Sequence, residues 1–163
     1  MLQITSAEAL WFLPFVAPIC FYVAWTDMKM MKITNQAVVA LALVFVVIGP
    51  FAFSLETYIW RYLHLIVALL LGIVLNAGGV MGAGDAKFAA AAAPFVALGD
   101  LSRLAIIFAA VLLAAWVTHR IAKHSPLRNL VPHWESWTKT KEFPMGFALG
   151  GTLAAYLLIG AFA

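Results

Sequence analysis

Long apolar segments alternate with short polar ones along the whole chain. The apolar segments cover residues 9–25, 37–53, 63–81, 86–98, 104–117 and 144–163. An apolar stretch of roughly 20 residues is long enough to cross a bilayer as a helix. The pattern therefore predicts an all-α membrane protein with six transmembrane helices, forming one membrane-embedded domain over residues 1–163. The segments 86–98 and 104–117 are short, so we expect them to borrow flanking residues or to thin the bilayer.

The composition is that of an integral membrane protein. Of the 163 residues, 65% are hydrophobic and 10% are charged, and the mean hydropathy is +1.00. A soluble core of this size could not bury so much apolar surface. The first apolar segment lacks the preceding basic residues of a signal peptide, so we expect it to be retained. Cys20 is the only cysteine, which excludes an intrachain disulfide and a zinc site with several cysteine ligands.

The basic residues divide unevenly between the two ends of the predicted helices. Arg61 and Arg103 fall in loops 2 and 4, whereas the other eight fall in loops 1, 3 and 5: Lys29, Lys32, Lys87, Arg120, Lys123, Arg128, Lys139 and Lys141. Positively charged loops stay on the cytoplasmic side of a membrane. We therefore predict cytoplasmic loops 1, 3 and 5, with both termini outside. Lipid headgroups explain the net charge of +3 better than nucleic acid, which we do not expect as a partner.

Residues 118–143 form the only long polar stretch, and two interpretations of it stay open. Its apolar side chains recur at roughly helical spacing, which is typical of a helix lying in the membrane interface: Leu127, Leu130, Val131, Trp134 and Trp137. Pro126 and Pro132 interrupt that pattern and favour a solvated basic loop that contacts lipid headgroups.

Two acids, Asp27 and Asp85, are placed at the same predicted ends of spans 1 and 4, although 58 positions separate them. Acids near lipid are costly and by default indicate a functional site. Two carboxylates brought close together can share a proton, and such a pair can activate water for attack on a peptide carbonyl. Gly82 and Gly84 would let a substrate backbone approach Asp85. Alternatively, the glycines form a tight turn and Asp85 caps the following helix.

Three stretches resemble the motifs of one known family, the type IV prepilin peptidases, which are membrane aspartic proteases. Residues 82–87, Gly-Ala-Gly-Asp-Ala-Lys, are similar to the family's G-x-G-D-x-K motif. Residues 27–35 resemble its first motif, with Thr34 where the family usually has Pro. Residues 144–151 resemble its P-x-G-P-A-L stretch, with Phe147 in place of the second Pro. The resemblance covers the chain in order, and the short length resembles the single-domain peptidases of Tad/Flp pilus systems.

The resemblance implies a peptidase that removes prepilin leader peptides at the cytoplasmic face of the bacterial inner membrane. It implies Asp27 and Asp85 as the catalytic residues, with six residues shaping the site or contacting substrate: Gly82, Gly84, Lys87, Asn35, Pro144 and Gly146. Lys87 could instead only extend to the membrane interface, and Asn35 could cap the second span. Prepilins, the bilayer and pilus assembly proteins are the expected partners. No cofactor or metal is expected, because the four histidines show no ligand spacing.

Other functions compete with this interpretation. Archaeal-type preflagellin peptidases are related, and presenilin-like intramembrane proteases share G-x-G-D. A small transporter subunit could use the two acids as a proton or cation relay, but no acid is predicted midway through a span. A purely structural assembly subunit is disfavoured by the glycine-flanked acid. Longer family members carry a Cys-x-x-Cys domain after their first span, where this chain has only residues 26–35, so we expect no zinc domain and no methyl transfer.

Overall fold

The computed structural model describes residues 1–139 and 142–162, and the described chain is helical with no strand. The α-helices are α1 (Ser6–Met30), α2 (Asn35–Ala52), α3 (Leu55–Ala77), α4 (Ala83–Ala92), α5 (Leu101–Lys123) and α6 (Met145–Phe162). The predicted all-α class is therefore confirmed. Five of these helices are long and apolar enough to cross a membrane.

The exception is α4, which replaces the predicted fourth span. Its 10 residues extend for about 15 Å, roughly half of a bilayer's hydrocarbon thickness. The helix gives way to a 3-10 turn, Ala93–Phe95, which contains Pro94, and Val96 is then extended. Proline lacks the N–H that a continuing α-helix needs. The prediction of a full transmembrane helix over 86–98 is therefore wrong.

The chain nevertheless continues from α4 to the opposite end of the helix bundle. Asp85 lies at the end where α1 finishes, because its neighbour Gly84 packs against Ile33, which follows α1 closely in the chain. Asp100 accepts hydrogen bonds from the backbone N–H of Gln3 at 2.7 Å and of Ile4 at 3.1 Å, just before α1 begins. Residues 85–100 therefore run from one end of the bundle to the other, packed mainly against α3, so successive loops still alternate between the two ends. Which end faces the cytoplasm stays a prediction.

The antiparallel pair α1 and α6 forms the centre of the bundle. A Cβ added to Gly150 would lie 2.8 Å from the carbonyl oxygen of Cys20, and one added to Gly160 would lie 3.3 Å from the Cβ of Ala9. Because glycine has no side chain, the two helix backbones can approach each other closely at these positions. Phenylalanine rings from neighbouring segments fill the adjacent core, with Phe12 and Phe95 edge to face at 4.9 Å between ring centroids.

Several predicted boundaries differ from the structure. Asp27, just beyond the predicted first segment 9–25, belongs to the last turn of α1. Residues 54–62, which precede the predicted third segment 63–81, contain the N-cap Ser54 and the first turns of α3. The fifth span gains flanking residues as expected and becomes the 23-residue α5. Hydropathy marks the lipid-facing part of a helix, whereas the capping residues set its ends.

The polar stretch 118–143 forms no continuous interfacial helix in its described part. After α5 it contains two 3-10 turns, Pro126–Leu130 and Glu135–Trp137. The buried Trp137 ring stacks on His119 at 5.2 Å between centroids, and Trp134 meets Trp25 of α1 at 5.3 Å. The segment therefore folds back onto the bundle and is not simply solvated. Lys141 lies outside the described residues.

Candidate active site

Asp27 is held at the junction of α1 and α6. Asp27 is only 5% exposed, and its Oδ2 accepts a hydrogen bond from the backbone N–H of Gly146 at 2.6 Å. Gly146 is the second residue of α6, and the first N–H groups of a helix have no acceptor within that helix. The α6 N-terminus therefore supplies the donor that orients the Asp27 carboxylate.

Asp85 lies in the first turn of α4 and is half-buried. The N-cap of α4 is Gly82, so the alternative that Asp85 is itself the N-cap is wrong. The Asp85 carboxylate nevertheless turns back towards this cap, because a Cβ added to Gly82 would lie 2.8 Å from its Oδ2. An acid at the third helical position commonly interacts with the N-cap backbone in this way. Any residue larger than glycine at position 82 would displace the Asp85 carboxylate.

One side chain, Ile33, connects the two halves of the site. A Cβ added to Gly84 would lie 3.3 Å from the Cβ of Ile33, and one added to Gly146 would lie 3.0 Å from its Cγ1. Gly84 precedes Asp85 directly and Gly146 binds Asp27, so Ile33 lies between the backbones that hold the two acids. The predicted residues Asp27, Gly84, Asp85 and Gly146 are thus brought together at one end of the bundle.

Lys87 and Asn35 form a second contact beside the acids. The Lys87 Nζ donates a hydrogen bond to the Asn35 Oδ1 at 3.1 Å, and both residues are exposed. The predicted capping role of Asn35 is wrong, because Thr34 is the N-cap of α2 and accepts a hydrogen bond from the Ala37 N–H at 3.3 Å. The Lys87–Asn35 contact instead joins α4 to the start of α2. Pro144, also predicted in the site, is buried directly before α6.

The remaining acids do not join this cluster. Glu135 is exposed, and Glu142 pairs with Lys139 at 3.0 Å. Glu8 and Glu56 line a cavity at the opposite end of the bundle together with Gln3. Within the described ranges, no three His, Cys, Asp or Glu side chains are grouped as a metal site requires, and the expected lack of a metal stays a prediction. The site thus offers a pair of carboxylates suited to proton transfer.

A family model described as the type IV leader peptidase family matches residues 15–119. The chain belongs to the type IV leader peptidase family. The match contains Asp27, Asp85 and the glycines between α3 and α4, whereas the third motif, at 144–151, lies beyond it. Comparison with curated proteins and with solved structures gave no match. The predicted family is therefore confirmed, and the protein is a leader peptidase-like protease with several membrane-crossing helices.

Asp100 is a further structural residue of this leader peptidase that sequence reasoning does not predict. Asp100 is fully buried and lies at the end of the bundle opposite Asp27. Its carboxylate accepts hydrogen bonds from the Gln3 and Ile4 backbones, from the Tyr156 hydroxyl at 2.8 Å and from Arg103 at 3.2 Å. This network joins the segment that precedes α1 to α5 and α6 at the far end of the bundle. The available sequence signal was an acid placed between two apolar segments.

Proposed function

We propose that this protein is an aspartic endopeptidase that removes the leader peptide of type IV prepilins, with Asp27 and Asp85 as its catalytic pair. The observation that supports the proposal is the position of these two acids, 58 positions apart in sequence, at one end of the bundle: Ile33 packs against Gly84, which precedes Asp85, and against Gly146, whose N–H binds Asp27. Both acids lie in the part of the chain matched by the leader peptidase family. A pair of carboxylates at one position is the arrangement that aspartic proteases use.

The pair would work by sharing one proton. The ionised carboxylate removes a proton from water as the water oxygen attacks the peptide carbonyl carbon. The protonated carboxylate donates a hydrogen bond to the carbonyl oxygen and polarises it. When the C–N bond breaks, a proton passes from the pair to the leaving amine, which returns the site to its starting state.

The position of the pair favours a substrate cleaved at the edge of the membrane. Asp27 lies in the last turn of α1 and Asp85 in the first turn of α4, so both acids are at helix ends. A prepilin whose apolar helix lies in the bilayer would present its leader junction at this depth. The distribution of basic loops supports a cytoplasmic orientation of this end, and we propose the bacterial inner membrane as its location. The exposed Lys87 and Asn35 are then placed to contact the leader.

The short connection between α1 and α2 favours the single-domain Tad/Flp type of peptidase. This connection consists of residues 31–34, too few to fold as a separate domain. Archaeal-type preflagellin and presenilin-like proteases are the alternatives within the same chemistry. A proton or cation relay would need acids at several depths, whereas Asp27 and Asp85 share one end and Asp100 at the other end is fully engaged by donors.

The test is cleavage of candidate prepilins by the purified protein in detergent. Asp27→Asn and Asp85→Asn should each nearly abolish cleavage at close to normal abundance, because each replaces a carboxylate with an amide of the same shape. Glu135→Gln is the matched control, since it makes the same change at an exposed acid at the same end of the bundle. Substantial activity in either aspartate variant would show that the pair is not catalytic.

Chelators provide a second arm of the same experiment. We expect EDTA to leave cleavage unchanged, because the proposed chemistry uses carboxylates and water alone. Loss of activity in EDTA that is restored by added metal would contradict the aspartic mechanism even if both aspartates proved essential.

A further inference from the structure

A second polar cavity lies at the same end of the bundle as Asp27 and Asp85. Its volume is about 130 Å³, and it opens between the C-terminal turns of α5 and the segment that leads into α6. Its lining includes Trp116, His119, Arg120, Lys123, Lys139 and Glu142. The peptidase mechanism uses none of these residues.

The cavity carries an excess of positive charge. Glu142 is the only acid in its lining, and it pairs with Lys139 at 3.0 Å. Among the residues that the structure describes, Arg120 and Lys123 have no acid within ion-pair distance. The Arg120 guanidinium lies over the Trp116 ring at 5.3 Å, which holds it at the cavity wall. Two like charges beside one cavity repel each other, and a bound anion would remove that repulsion.

His119 adds a buried ring nitrogen that lacks a hydrogen-bond partner in the described part of the chain. The residue is 5% exposed, and this nitrogen is its Nε2. Its ring is fixed by stacking on Trp137 at 5.2 Å and by the edge of Phe143 at 5.8 Å. Buried polar atoms without a partner are rare and call for a missing ligand or water. In the tautomer that carries its proton on Nε2, this nitrogen can donate a hydrogen bond to an anionic oxygen.

The cavity at the opposite end of the bundle lacks this character. It is larger, about 450 Å³, but its lining combines Glu8 and Glu56 with Arg61 and His64. Two acids face one arginine and one histidine there, so that cavity has no excess of positive charge. The basic cavity lies at the end of the bundle where loops 1, 3 and 5 carry eight of the chain's ten lysines and arginines.

We propose that the cavity formed by His119, Arg120 and Lys123 binds the phosphate of an anionic membrane lipid. Phosphate oxygens match the fork of donors on an arginine and the point charge of a lysine. The source is a lipid because α5 is an apolar membrane-crossing helix and these residues occupy its last turns, at headgroup depth. Basic pockets at the ends of transmembrane helices bind anionic headgroups in this way. The proposal does not depend on the peptidase function.

The test is lipid retention by the purified protein in native mass spectrometry. The protein in detergent is titrated with phosphatidylglycerol, with phosphatidylcholine and, separately, with phosphatidylglycerol in the presence of inorganic phosphate. We expect preferential retention of phosphatidylglycerol that inorganic phosphate at millimolar concentration does not displace. Equal retention of the two lipids would overturn the proposal. Displacement by phosphate would overturn the lipid assignment and make the cavity a site for a soluble anion.

Variants connect the binding to this cavity. Changing Arg120→Gln and Lys123→Gln together should weaken phosphatidylglycerol retention by about thirtyfold, because each basic residue near an anionic headgroup contributes a factor of about five. Changing Lys32→Gln and Arg128→Gln together is the matched control, since both cations are exposed outside the cavity. Equal losses in the two double variants would show that general surface charge, and not the cavity, holds the lipid.

His119→Phe separates the buried nitrogen from the aromatic packing. Phenylalanine keeps a ring against Trp137 but removes Nε2, so retention of phosphatidylglycerol should fall while thermal unfolding changes little. Unchanged retention in this variant would contradict the proposed site. The Arg120 and Lys123 variants alter side chains that are not buried and keep the proposal testable if His119→Phe folds poorly.

Discussion

Replacing Gly146 with alanine tests the contact that orients Asp27. The new Cβ would lie 2.9 Å from the Cβ of Asp27, 3.0 Å from its Oδ2 and 3.0 Å from the Cγ1 of Ile33. Carbon atoms in contact prefer separations of about 3.5–4.0 Å, so α6 or the Asp27 side chain must move by roughly 0.5–1 Å. Such a shift would stretch the 2.6 Å hydrogen bond from the Gly146 N–H to Asp27.

The expected size of the effect follows from that hydrogen bond. A hydrogen bond to a charged group contributes about 1.5–3 kcal/mol. Since about 1.4 kcal/mol corresponds to a factor of ten in rate, Gly146→Ala should lower kcat/KM for prepilin cleavage by about 10–150-fold. The Gly146→Ala variant keeps the Asp27 carboxylate, so the expected loss of activity would come from its displacement alone.

Gly160→Ala is the matched control for the same helix pair. Its Cβ would lie 2.7 Å from the Cγ2 of Ile4 and 3.3 Å from the Cβ of Ala9, at the end of the bundle far from Asp27. Overpacking of this kind costs about 1–3 kcal/mol of stability, so thermal unfolding of both variants should be lowered. Only Gly146→Ala should slow cleavage per folded molecule. Equal activity in the two variants would refute the orienting role of Gly146.

Three further predictions concern orientation, stability and chemistry. In a Cys20→Ser background, cysteines at the exposed positions Lys32 and Lys139 should resist an impermeant thiol reagent outside intact cells, whereas one at the exposed Ser102 should react; the reverse labelling would invert the orientation. Asp100→Ala leaves several buried donors without an acceptor and should lower the free energy of unfolding by at least about 2–3 kcal/mol, with cleavage by the folded fraction retained; an unchanged thermal midpoint would contradict this. Pilin matured by this protein alone with S-adenosylmethionine should show no methyl group at its new N-terminus by mass spectrometry, because residues 31–34 cannot hold the domain expected for that activity.

Local patterns in the sequence were sufficient to predict the all-α class and to single out Asp27 and Asp85 as candidate site residues. Apolar segments separated by short polar ones predict membrane helices, because in lipid every backbone polar group must be paired within the segment. The motif at 82–87 could be recognised from the sequence because all its residues are close together in the chain. The N-caps Thr5, Thr34 and Ser54 are also local features. They begin α1, α2 and α3 earlier in the chain than the apolar segments alone predict.

Contacts between distant residues were decided by the tertiary structure. The hydrogen bond from Gly146 to Asp27 joins residues 119 positions apart, and no local pattern carries that pairing. The position of Ile33 between Gly84 and Gly146 has the same origin, because it depends on how three segments pack. The burial of Asp100 could not be read from its neighbours either, since its donors come from the N-terminus and from α6.

The sequence by itself determined that this chain is a helical membrane protein of the leader peptidase family with acids at positions 27 and 85, because hydropathy and short motifs are properties of adjacent residues. The tertiary structure decided that the fourth crossing is a 10-residue helix followed by 3-10 turns, and that the α6 N-terminus meets Asp27. Where the fourth helix breaks, the buried carbonyl of Val96 accepts a hydrogen bond from Arg61 of α3, and the His64 ring nitrogen lies 3.2 Å from the same oxygen. A buried carbonyl needs such a partner, and these side chains, more than 30 positions away in sequence, reach it only in the packed bundle.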